Sequence, residues 1–235
     1  CSAKSRLSPN GSVVRDRSST SRVNFDGALP FGSKCSGGVC ASAALAPASP
    51  YATTKLAVER MLADFARAHG LRHVALRYFN AAGASADGAH GEHHEPETHL
   101  VPIVLQTLLG LRDRLSVYGH DFATPDGTCI RDYVHVVDLA DAHSRALDWT
   151  ARAAPGEGEA INLGTGTGHS VLEVIRATER VTGRIVRFEI GERRPGDTAR
   201  LVAGRERAQR VLGWAPRANL DEILASAWEW HRRNP

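Results

Sequence analysis

The sequence predicts an α/β protein whose mostly parallel sheet is covered by helices. Segments with helical periodicity alternate with strand-like segments from Ser49 onward, and this alternation is typical of β–α crossover folds. The chain has 235 residues, 42% of them hydrophobic, which is enough to bury a sizeable core without disulfide or metal crosslinks. Both observations favour a globular α/β chain.

The first predicted element is an amphipathic helix over residues 51–69, which Gly70 ends as a C′ residue. Residues 72–79 are too few and too aromatic for a second helix, so they indicate a buried strand. A loop rich in glycine, alanine and histidine follows, and the next helix is predicted around residues 101–111. The apolar face of the first helix consists of Val58, Met61, Leu62 and Phe65.

The alternation continues through the second half of the chain. Residues 130–136 alternate with a period of two and predict a strand. Further short strands are predicted at residues 160–163 and 185–188. The helix after residue 136 has an apolar face formed by Leu139, Ala142, Ala146 and Leu147.

Two further helices carry N-terminal capping signals. Ser170 with Glu173 forms a capping box, and Asn219 is the N-cap of the last helix. The first of these helices is predicted to bury Val171, Val174 and Ile175. The second has helical spacing at Leu220, Ile223, Leu224, Ala227 and Trp228.

Charge and composition exclude several classes of protein. The net charge is only +3, which gives no electrostatic basis for nucleic-acid binding. The longest apolar run, residues 99–111, is too short for a membrane span and is broken by Pro102 and Gln106. No secretion signal opens the chain, and four cysteines are typical of reduced thiols. We therefore expect a cytoplasmic protein that binds neither nucleic acid nor membrane.

The most distinctive local feature is Tyr51-x-x-x-Lys55 at the start of the first helix. Residues four apart lie on the same helical face, so the phenol and the ammonium group approach each other. A cation near a phenol lowers its pKa from the usual value of about 10. The spacing therefore predicts a tyrosine that can act as a proton acceptor near neutral pH.

Further motifs follow this helix in a fixed order, and together they resemble the UDP-glucose 4-epimerase family of extended short-chain dehydrogenases/reductases. The resemblance covers roughly residues 49–235. Its most specific part is Pro125-Asp-Gly-Thr-Cys-Ile-Arg-Asp-Tyr-Val-His-Val136. The other motifs are Leu76-Arg-Tyr-Phe-Asn80, Thr98-His-Leu-Val-Pro102, Val117-Tyr-Gly119, Ile161-Asn-Leu-Gly164, Arg193-Arg-Pro-Gly-Asp197 and Leu212-Gly-Trp214.

The resemblance implies NAD as cofactor, a UDP-hexose as substrate and a homodimer as a candidate assembly. It implies that Tyr51 is the catalytic base, that Lys55 holds the nicotinamide ribose and that Phe79 lines the nicotinamide pocket. No metal is expected. The substrate-contacting positions that it implies are Asn80, His99, Leu100, Ser116, Val117, Tyr118, Arg131, Arg194 and Asp197, with Leu201 as a gate beside the sugar.

The resemblance also implies a division of the chain. Residues 1–48, which are rich in serine, are unassigned and expected to be disordered or non-native. Residues 49–80 are expected to be a remnant of the NAD-binding domain with the catalytic helix. Residues 81–235 are expected to form the smaller α/β sugar-nucleotide domain, with strands near 130–136 and 160–163 returning to the main Rossmann-like, doubly wound sheet.

One departure from the family pattern concerns the dinucleotide. The family's Gly-x-x-Gly-x-x-Gly turn seats the pyrophosphate on a helix N-terminus, and residues 1–50 contain no such run. Asp26 stands where a serine-rich strand end is expected. We therefore expect the N-terminal half of the sheet to be missing. Two alternatives stay open: an inactive fragment that binds UDP-sugar weakly, and a nucleotide-sugar decarboxylase or dehydratase of the same superfamily.

Several other patterns favour ordinary structural roles. Gly164-Thr-Gly166-Thr-Gly168 has the wrong spacing for a dinucleotide motif and indicates a turn into the capped helix. Cys35 and Cys40 lack a second pair, and Trp228 and Trp230 are expected to pack in the core or at its rim. A histidine- and glutamate-rich loop has the residue types of a metal site, but it lacks a scaffold and is expected to be solvated; it contains His90, Glu92, His93, His94, Glu95 and His99.

Overall fold

The computed structural model describes residues 50–234 and a short antiparallel pair, β1 (Lys34–Cys35) with β2 (Gly38–Val39). The rest of the unassigned segment 1–48 lies outside the described residues. Cys40, the second cysteine of the Cys35–Cys40 pair, is among the residues left out. Asp26 lies outside them as well.

The described part of the chain alternates strands and helices, as the sequence predicts. The helices are α1 (Pro50–His69), α2 (Leu100–Leu108), α3 (Val136–Arg152), α4 (Val171–Thr182), α5 (Glu206–Leu212) and α6 (Leu220–Arg233). The strands are β3 (His73–Tyr78), β4 (Asn80–Ala82), β5 (Leu115–Tyr118), β6 (Ile130–Arg131), β7 (Tyr133–His135), β8 (Gly158–Leu163), β9 (His169–Ser170), β10 (Phe188–Gly191) and β11 (Arg200–Leu201). No helix among the described residues combines the length and apolarity that a bilayer span requires.

Strand pairing is mainly parallel, which confirms the predicted α/β class. β3 pairs with β8, β4 with β7, β5 with β10 and β6 with β11, all in parallel. β6 also pairs with β9 in antiparallel fashion. Parallel neighbours require crossover connections, and the helices between these strands supply them.

The single strand predicted at residues 130–136 is wrong, because the structure has two short strands there, β6 and β7. Asp132 interrupts it, so β6 and β7 pair with different partners and only β7 joins β4. The interruption has a physical cause, because the buried Asp132 carboxylate turns towards backbone donors of distant segments. Val136 begins α3 instead of ending a strand, and His135 is the N-cap of that helix.

Three other sequence expectations need correction. The strand predicted at residues 185–188 begins only at Phe188. This residue pairs with Leu115, the first residue of β5. Ile185, before that strand, is 85% exposed. The helix predicted around residues 101–111 ends at Leu108. Leu147 is 71% exposed, whereas its predicted partners Leu139, Ala142 and Ala146 are buried.

Helix α1 forms where the sequence predicts it, but it packs through a different face. Val58, Met61 and Phe65 are half exposed, while Ala52, Leu56 and Ala66 are buried. An ion pair with the adjacent strand lies on the packed side of the helix. Arg77 of β3 donates to both carboxylate oxygens of Glu59, and its Nε lies 2.7 Å from Oε1.

Two apolar clusters stabilise the helices around the strands. One joins α2, α4 and α6 through buried residues such as Leu105, Val174 and Leu224. The other joins α3 and α5 to β8 around the fully buried Ile161 and Trp214. Both predicted caps are confirmed: Ser170 with Glu173 and Asn219 with Glu222 each form a capping box. Val171 and Trp228 are only partly buried.

Candidate active site

The start of α1 presents the predicted proton-transfer pair to solvent. Tyr51 is 69% exposed at the second residue of the helix. Lys55 follows one turn later, and its Nζ lies 5.1 Å from the centroid of the Tyr51 ring. This distance is within the range of a cation–π contact. The two side chains therefore point to the same side of the helix, as their spacing predicts.

A cavity of about 690 Å³ lies beside this end of α1. Its wall is built from α1, the β3–β4 junction, the start of α2, β5, β6 and the loop after β10. Ten of the predicted site residues line it: Tyr51, Phe79, Asn80, His99, Leu100, Ser116, Val117, Tyr118, Arg131 and Arg194. Positions far apart in the sequence are thus brought to one cavity.

Two arginines supply positive charge to this cavity. Arg131 is mostly buried, and its Nη1 donates to the carbonyl oxygens of Ile130 at 3.0 Å and Thr198 at 2.8 Å. Arg194 is more exposed, and its Nε donates to Asp197 at 3.1 Å. The other Asp197 oxygen lies 3.8 Å from Arg131 Nη2. Asp197 therefore links the two guanidinium groups and helps to fix their separation.

Other cavity residues are held by specific contacts. The Arg194 guanidinium lies 4.7 Å from the centroid of the Tyr118 ring. Asn80 Nδ2 donates to the Asp132 carbonyl oxygen at 2.8 Å, and Ser116 Oγ donates to Glu189 at 3.3 Å. These contacts restrain polar side chains along the wall before any ligand binds.

Three predicted site residues do not line the cavity. Lys55 reaches it only through Tyr51, and Asp197 only through the two arginines. Leu201 lies on β11, in register with Arg131 of β6. Its implied role as a gate beside the sugar has no support from the cavity lining and stays a prediction.

Two other proton-bearing groups of the cavity, the phenol of Tyr133 and the thiol of Cys129, are buried, and burial disfavours the ionised forms that would accept a proton. Tyr133 is buried, and desolvation raises the pKa of its phenol far above the usual value. Burial also raises the pKa of the free Cys129 thiol, although Arg131 acts in the opposite direction. The exposed Tyr51 is better placed than either group to exchange a proton with a bound ligand.

The buried Asp132 is a structural residue that sequence reasoning missed. Its carboxylate accepts hydrogen bonds from Thr165 N, Thr165 Oγ1 and Ala203 N at 2.7 to 3.1 Å. Burial raises its pKa, and these hydrogen bonds oppose the shift. Asp132 thereby joins the β6–β7 break, beside Arg131, to the turn after β8. An acidic residue in the middle of a predicted buried strand, between Arg131 and Tyr133, was the available signal.

The same contacts explain the glycine-rich turn at residues 164–168. A Cβ atom at Gly164 would lie 2.6 Å from Asp132 Oδ2 and 2.4 Å from the Ala203 side chain. A Cβ atom at Gly168 would lie 2.4 Å from Ile130. Close packing therefore requires glycine here, and the predicted turn into the capped helix α4 is confirmed.

The histidine-rich loop is largely solvated, as predicted, with Glu92 partly buried. Glu97, which sequence reasoning missed, is buried and accepts hydrogen bonds from Thr98 N at 2.7 Å and His99 N at 2.8 Å. These bonds outweigh its burial and lower its pKa. Burial raises the pKa of the nearby Glu92 carboxyl. Glu92, His94 and His99 all line the cavity.

Comparison with known proteins places the chain in a family. The model of the NAD dependent epimerase/dehydratase family matches residues 27–164, more than half of the chain. The chain belongs to this family. The match includes the Tyr51–Lys55 helix, β3–β4, α2 and the Arg131 strand, so most of the cavity wall falls within the matched region of the epimerase/dehydratase family.

Individual members of this family are close in sequence and in fold. A UDP-glucose 4-epimerase of Halalkalibacterium halodurans is 49% identical over 190 residues, which are 80% of this chain and 56% of that protein. The UDP-glucose 4-epimerase of Stenotrophomonas maltophila, solved with NAD and formylated UDP-arabinopyranose, is 42% identical with a TM-score of 0.80, covering 83% of this chain and 58% of the other. The enzyme of Brucella ovis with NAD is 44% identical with a TM-score of 0.79, at 88% and 63% coverage. The chain thus spans just over half the length of the curated relatives it matches.

Proposed function

We propose that this chain supplies the UDP-hexose pocket and the proton-transfer pair of an NAD-dependent UDP-glucose 4-epimerase. The observation that carries the proposal is the shared cavity, where Tyr51 of α1 meets Arg131 and Arg194. The relatives described above, which are named UDP-glucose 4-epimerases, support the same substrate class.

The arginines suit the diphosphate of a UDP-sugar. A guanidinium group presents a rigid fork of donors, and charge-assisted hydrogen bonds to phosphate are about twice as strong as neutral ones. Arg131 is already restrained by two backbone carbonyl groups, so little of its side-chain entropy remains to be lost on binding. Arg194 is exposed. It is linked to Arg131 through Asp197, whose carboxylate contacts both guanidinium groups.

Tyr51 is the proposed acceptor of the proton from the sugar 4-hydroxyl group. Its phenol is at the cavity edge, and the Lys55 ammonium group lies 5.1 Å from the centroid of the same ring. Inversion at C4 with no net oxidation requires two returns: the phenol gives the proton back to the same oxygen, and the hydride that bound NAD would have taken from C4 goes back to the opposite face of that carbon. The diphosphate contacts hold one end of the substrate while the sugar turns over within the cavity.

The residues near Tyr51 fit the nicotinamide end of NAD. Tyr51 and Phe79 line one cavity, and Lys55 lies beside the phenol, so these three side chains would hold the nicotinamide and its ribose. NAD⁺, when bound, supplies the hydride acceptor for C4 of the sugar. The pyrophosphate needs backbone donors of the kind that a glycine-rich turn provides, and residues 1–50 contain no such run.

We further propose a cytoplasmic location and a homodimer. The buried free thiol of Cys129 is typical of a protein in a reducing compartment. The half-exposed side chains Val58, Met61 and Phe65 of α1 form an apolar face that a second copy would cover. Sedimentation of the purified chain tests the dimer, and a monomer at all concentrations contradicts it.

Calorimetric titration of the purified chain with UDP-glucose tests the substrate class. We expect one site per chain, competition by UDP, and weaker binding to Arg131→Ala. Arg180→Ala, which removes an exposed arginine of α4 paired with Asp221, is the matched control. Absence of binding, or equal binding by Arg131→Ala, contradicts the proposal.

Product analysis distinguishes the epimerase from the other members of the superfamily. The chain is fused behind the segment that precedes the corresponding helix in the H. halodurans relative and is supplied with UDP-galactose and NAD⁺. We expect UDP-glucose as the product. A 4-keto-6-deoxy sugar would indicate a dehydratase and a pentose would indicate a decarboxylase, and either product contradicts the epimerase.

A further inference from the structure

Four side chains of the segment between β4 and α2 converge on one point at the cavity edge. Glu92, His94, Glu97 and His99 each offer one ligand atom, and all four atoms lie within 4.8 Å of one another. We refer to these four residues as the Glu–His quartet. We propose that the quartet binds a divalent transition-metal cation such as Zn²⁺.

The ligand atoms lie close enough together to surround one tetrahedral ion. Zn²⁺ bonds of 2.0–2.1 Å place neighbouring tetrahedral ligands about 3.3 to 3.4 Å apart. His99 Nδ1 lies 2.9 Å from Glu92 Oε1 and 3.0 Å from Glu97 Oε1. His94 Nδ1 lies 3.5 Å from Glu92 Oε1 and 3.8 Å from Glu97 Oε2. All four ligand atoms lie within 4.8 Å of one another, so an ion fits among them after the side chains move by up to about an ångström.

Glu97 gives the quartet a fixed base. Its side chain is 2% exposed, and its Oε1 accepts two backbone hydrogen bonds from Thr98 and His99. The Arg112 side chain also donates to the Glu97 carbonyl oxygen at 3.3 Å. The two bonds to Oε1 are of the kind that orient a metal-ligating carboxylate. The two histidines are exposed, so an ion can enter from solvent.

The charge and chemistry of the donors indicate which cation fits. Two carboxylates carry a charge of −2, which a divalent ion neutralises while both imidazoles bind as neutral ligands. Imidazole nitrogen suits zinc, cobalt and nickel, whereas Mg²⁺ and Ca²⁺ prefer oxygen ligands alone. The quartet is therefore expected to select a transition metal over Mg²⁺.

The position of the quartet connects it to the cavity. Glu92, His94 and His99 all belong to the cavity wall, and His99 immediately precedes α2. A bound ion would tie the loop carrying Glu92 and His94 to the start of this helix, and so restrain that part of the wall. The proposal stands on the quartet itself and does not depend on the substrate of the cavity.

Metal titration of the full chain tests the proposal. After chelator treatment and dialysis, calorimetry with Zn²⁺ alone is expected to show one ion per chain, and Mg²⁺ no binding. Co²⁺ is expected to give the strong visible absorption of a tetrahedral complex. His94→Ala should weaken Zn²⁺ binding by at least about tenfold, because even indirect ligand partners contribute that much.

His93→Ala is the matched control, since it removes an exposed histidine of the same loop outside the quartet. It should retain the wild-type affinity and stoichiometry. Thermal unfolding supplies a second readout: Zn²⁺ should raise the Tm of the wild type and of His93→Ala, with a smaller rise in His94→Ala. No binding, several weak ions per chain, or an equal loss in both variants overturns the proposal.

Discussion

Lys55 Nζ lies 5.1 Å from the centroid of the Tyr51 ring, one helical turn further along α1. The placement of this pair also involves a contact one turn further along the helix, where Glu59 is bound by Arg77 of β3. This ion pair and the buried residues Ala52, Leu56 and Ala66 lie on the packed side of α1 and together define its rotation about its axis. That rotation sets Tyr51 against the cavity while leaving Val58 and Phe65 half exposed.

Replacing the tyrosine tests its role in proton transfer. In the fusion protein supplied with UDP-galactose and NAD⁺, Tyr51→Phe is expected to lower kcat by roughly 10²- to 10⁴-fold, the usual contribution of a general acid–base group. UDP affinity should stay unchanged because the arginines are intact. Steady-state kinetics and UDP titration measure both quantities. An unchanged kcat would assign the proton transfer to another group.

Each of the two arginines is expected to contribute to nucleotide binding. Arg194→Ala should weaken UDP binding by about tenfold to a hundredfold, since one hydrogen bond to a charged group contributes about 1.5–3 kcal/mol. Arg131→Lys should also weaken binding, because lysine lacks the planar fork. Calorimetry at low and high salt checks both effects. Wild-type affinity in both variants would show that the diphosphate lies elsewhere.

Loss of the buried Asp132 carboxylate is expected to destabilise the fold strongly. Asp132→Ala leaves donors of Thr165 and Ala203 without their acceptor, and each buried unpaired group costs about 1–3 kcal/mol. We expect a loss of about 3 kcal/mol or more in the free energy of unfolding, measured by urea denaturation. The matched control is Asp148→Ala on the exposed side of α3. Equal stability of both variants would contradict this role.

The His135 side chain is expected to make stability depend on pH. Burial lowers its pKa, although Asp138 and Glu222 oppose the shift. Its Nδ1 accepts a hydrogen bond from Val137 N at 3.1 Å, which requires an unprotonated Nδ1. Since the unfolded pKa of about 6.5 is the higher one, the unfolded state binds the proton first. Stability is thus full above pH of about 6.5 and falls as the pH decreases towards the folded pKa.

A variant isolates this contribution. His135→Asn keeps an N-cap acceptor for α3 but cannot titrate. Its free energy of unfolding should decrease less than that of the wild type as the pH is lowered from about 7 to 5. His231, whose pKa burial also lowers, is present in both proteins and cancels in the difference. Parallel pH profiles would contradict the prediction.

The sequence predicted the elements whose signals are local. Helix α1, the capping boxes of α4 and α6 and the strand at residues 160–163 follow from periodicity and caps that a short window contains. The family motifs located ten residues that line one cavity. These features need no knowledge of which segments meet in space.

The errors arise where long-range contacts override local patterns. Alternation at residues 130–136 predicted one strand, but the Asp132 carboxylate binds donors more than 30 residues away. The apolar face of α1 is exposed because the opposite side of the helix is packed, where Glu59 pairs with Arg77, 18 residues away. Glu97 was missed because its burial arises from the folded loop, whereas its sequence neighbours are polar and exposed.

A crystal structure of this chain with UDP-glucose tests the central claim most directly. We expect the diphosphate between Arg131 and Arg194, and the sugar 4-hydroxyl group within about 2.6–3.2 Å of the Tyr51 oxygen or one water away. A nucleotide bound outside this cavity, or a sugar that leaves the Tyr51 phenol beyond that reach, would contradict the account.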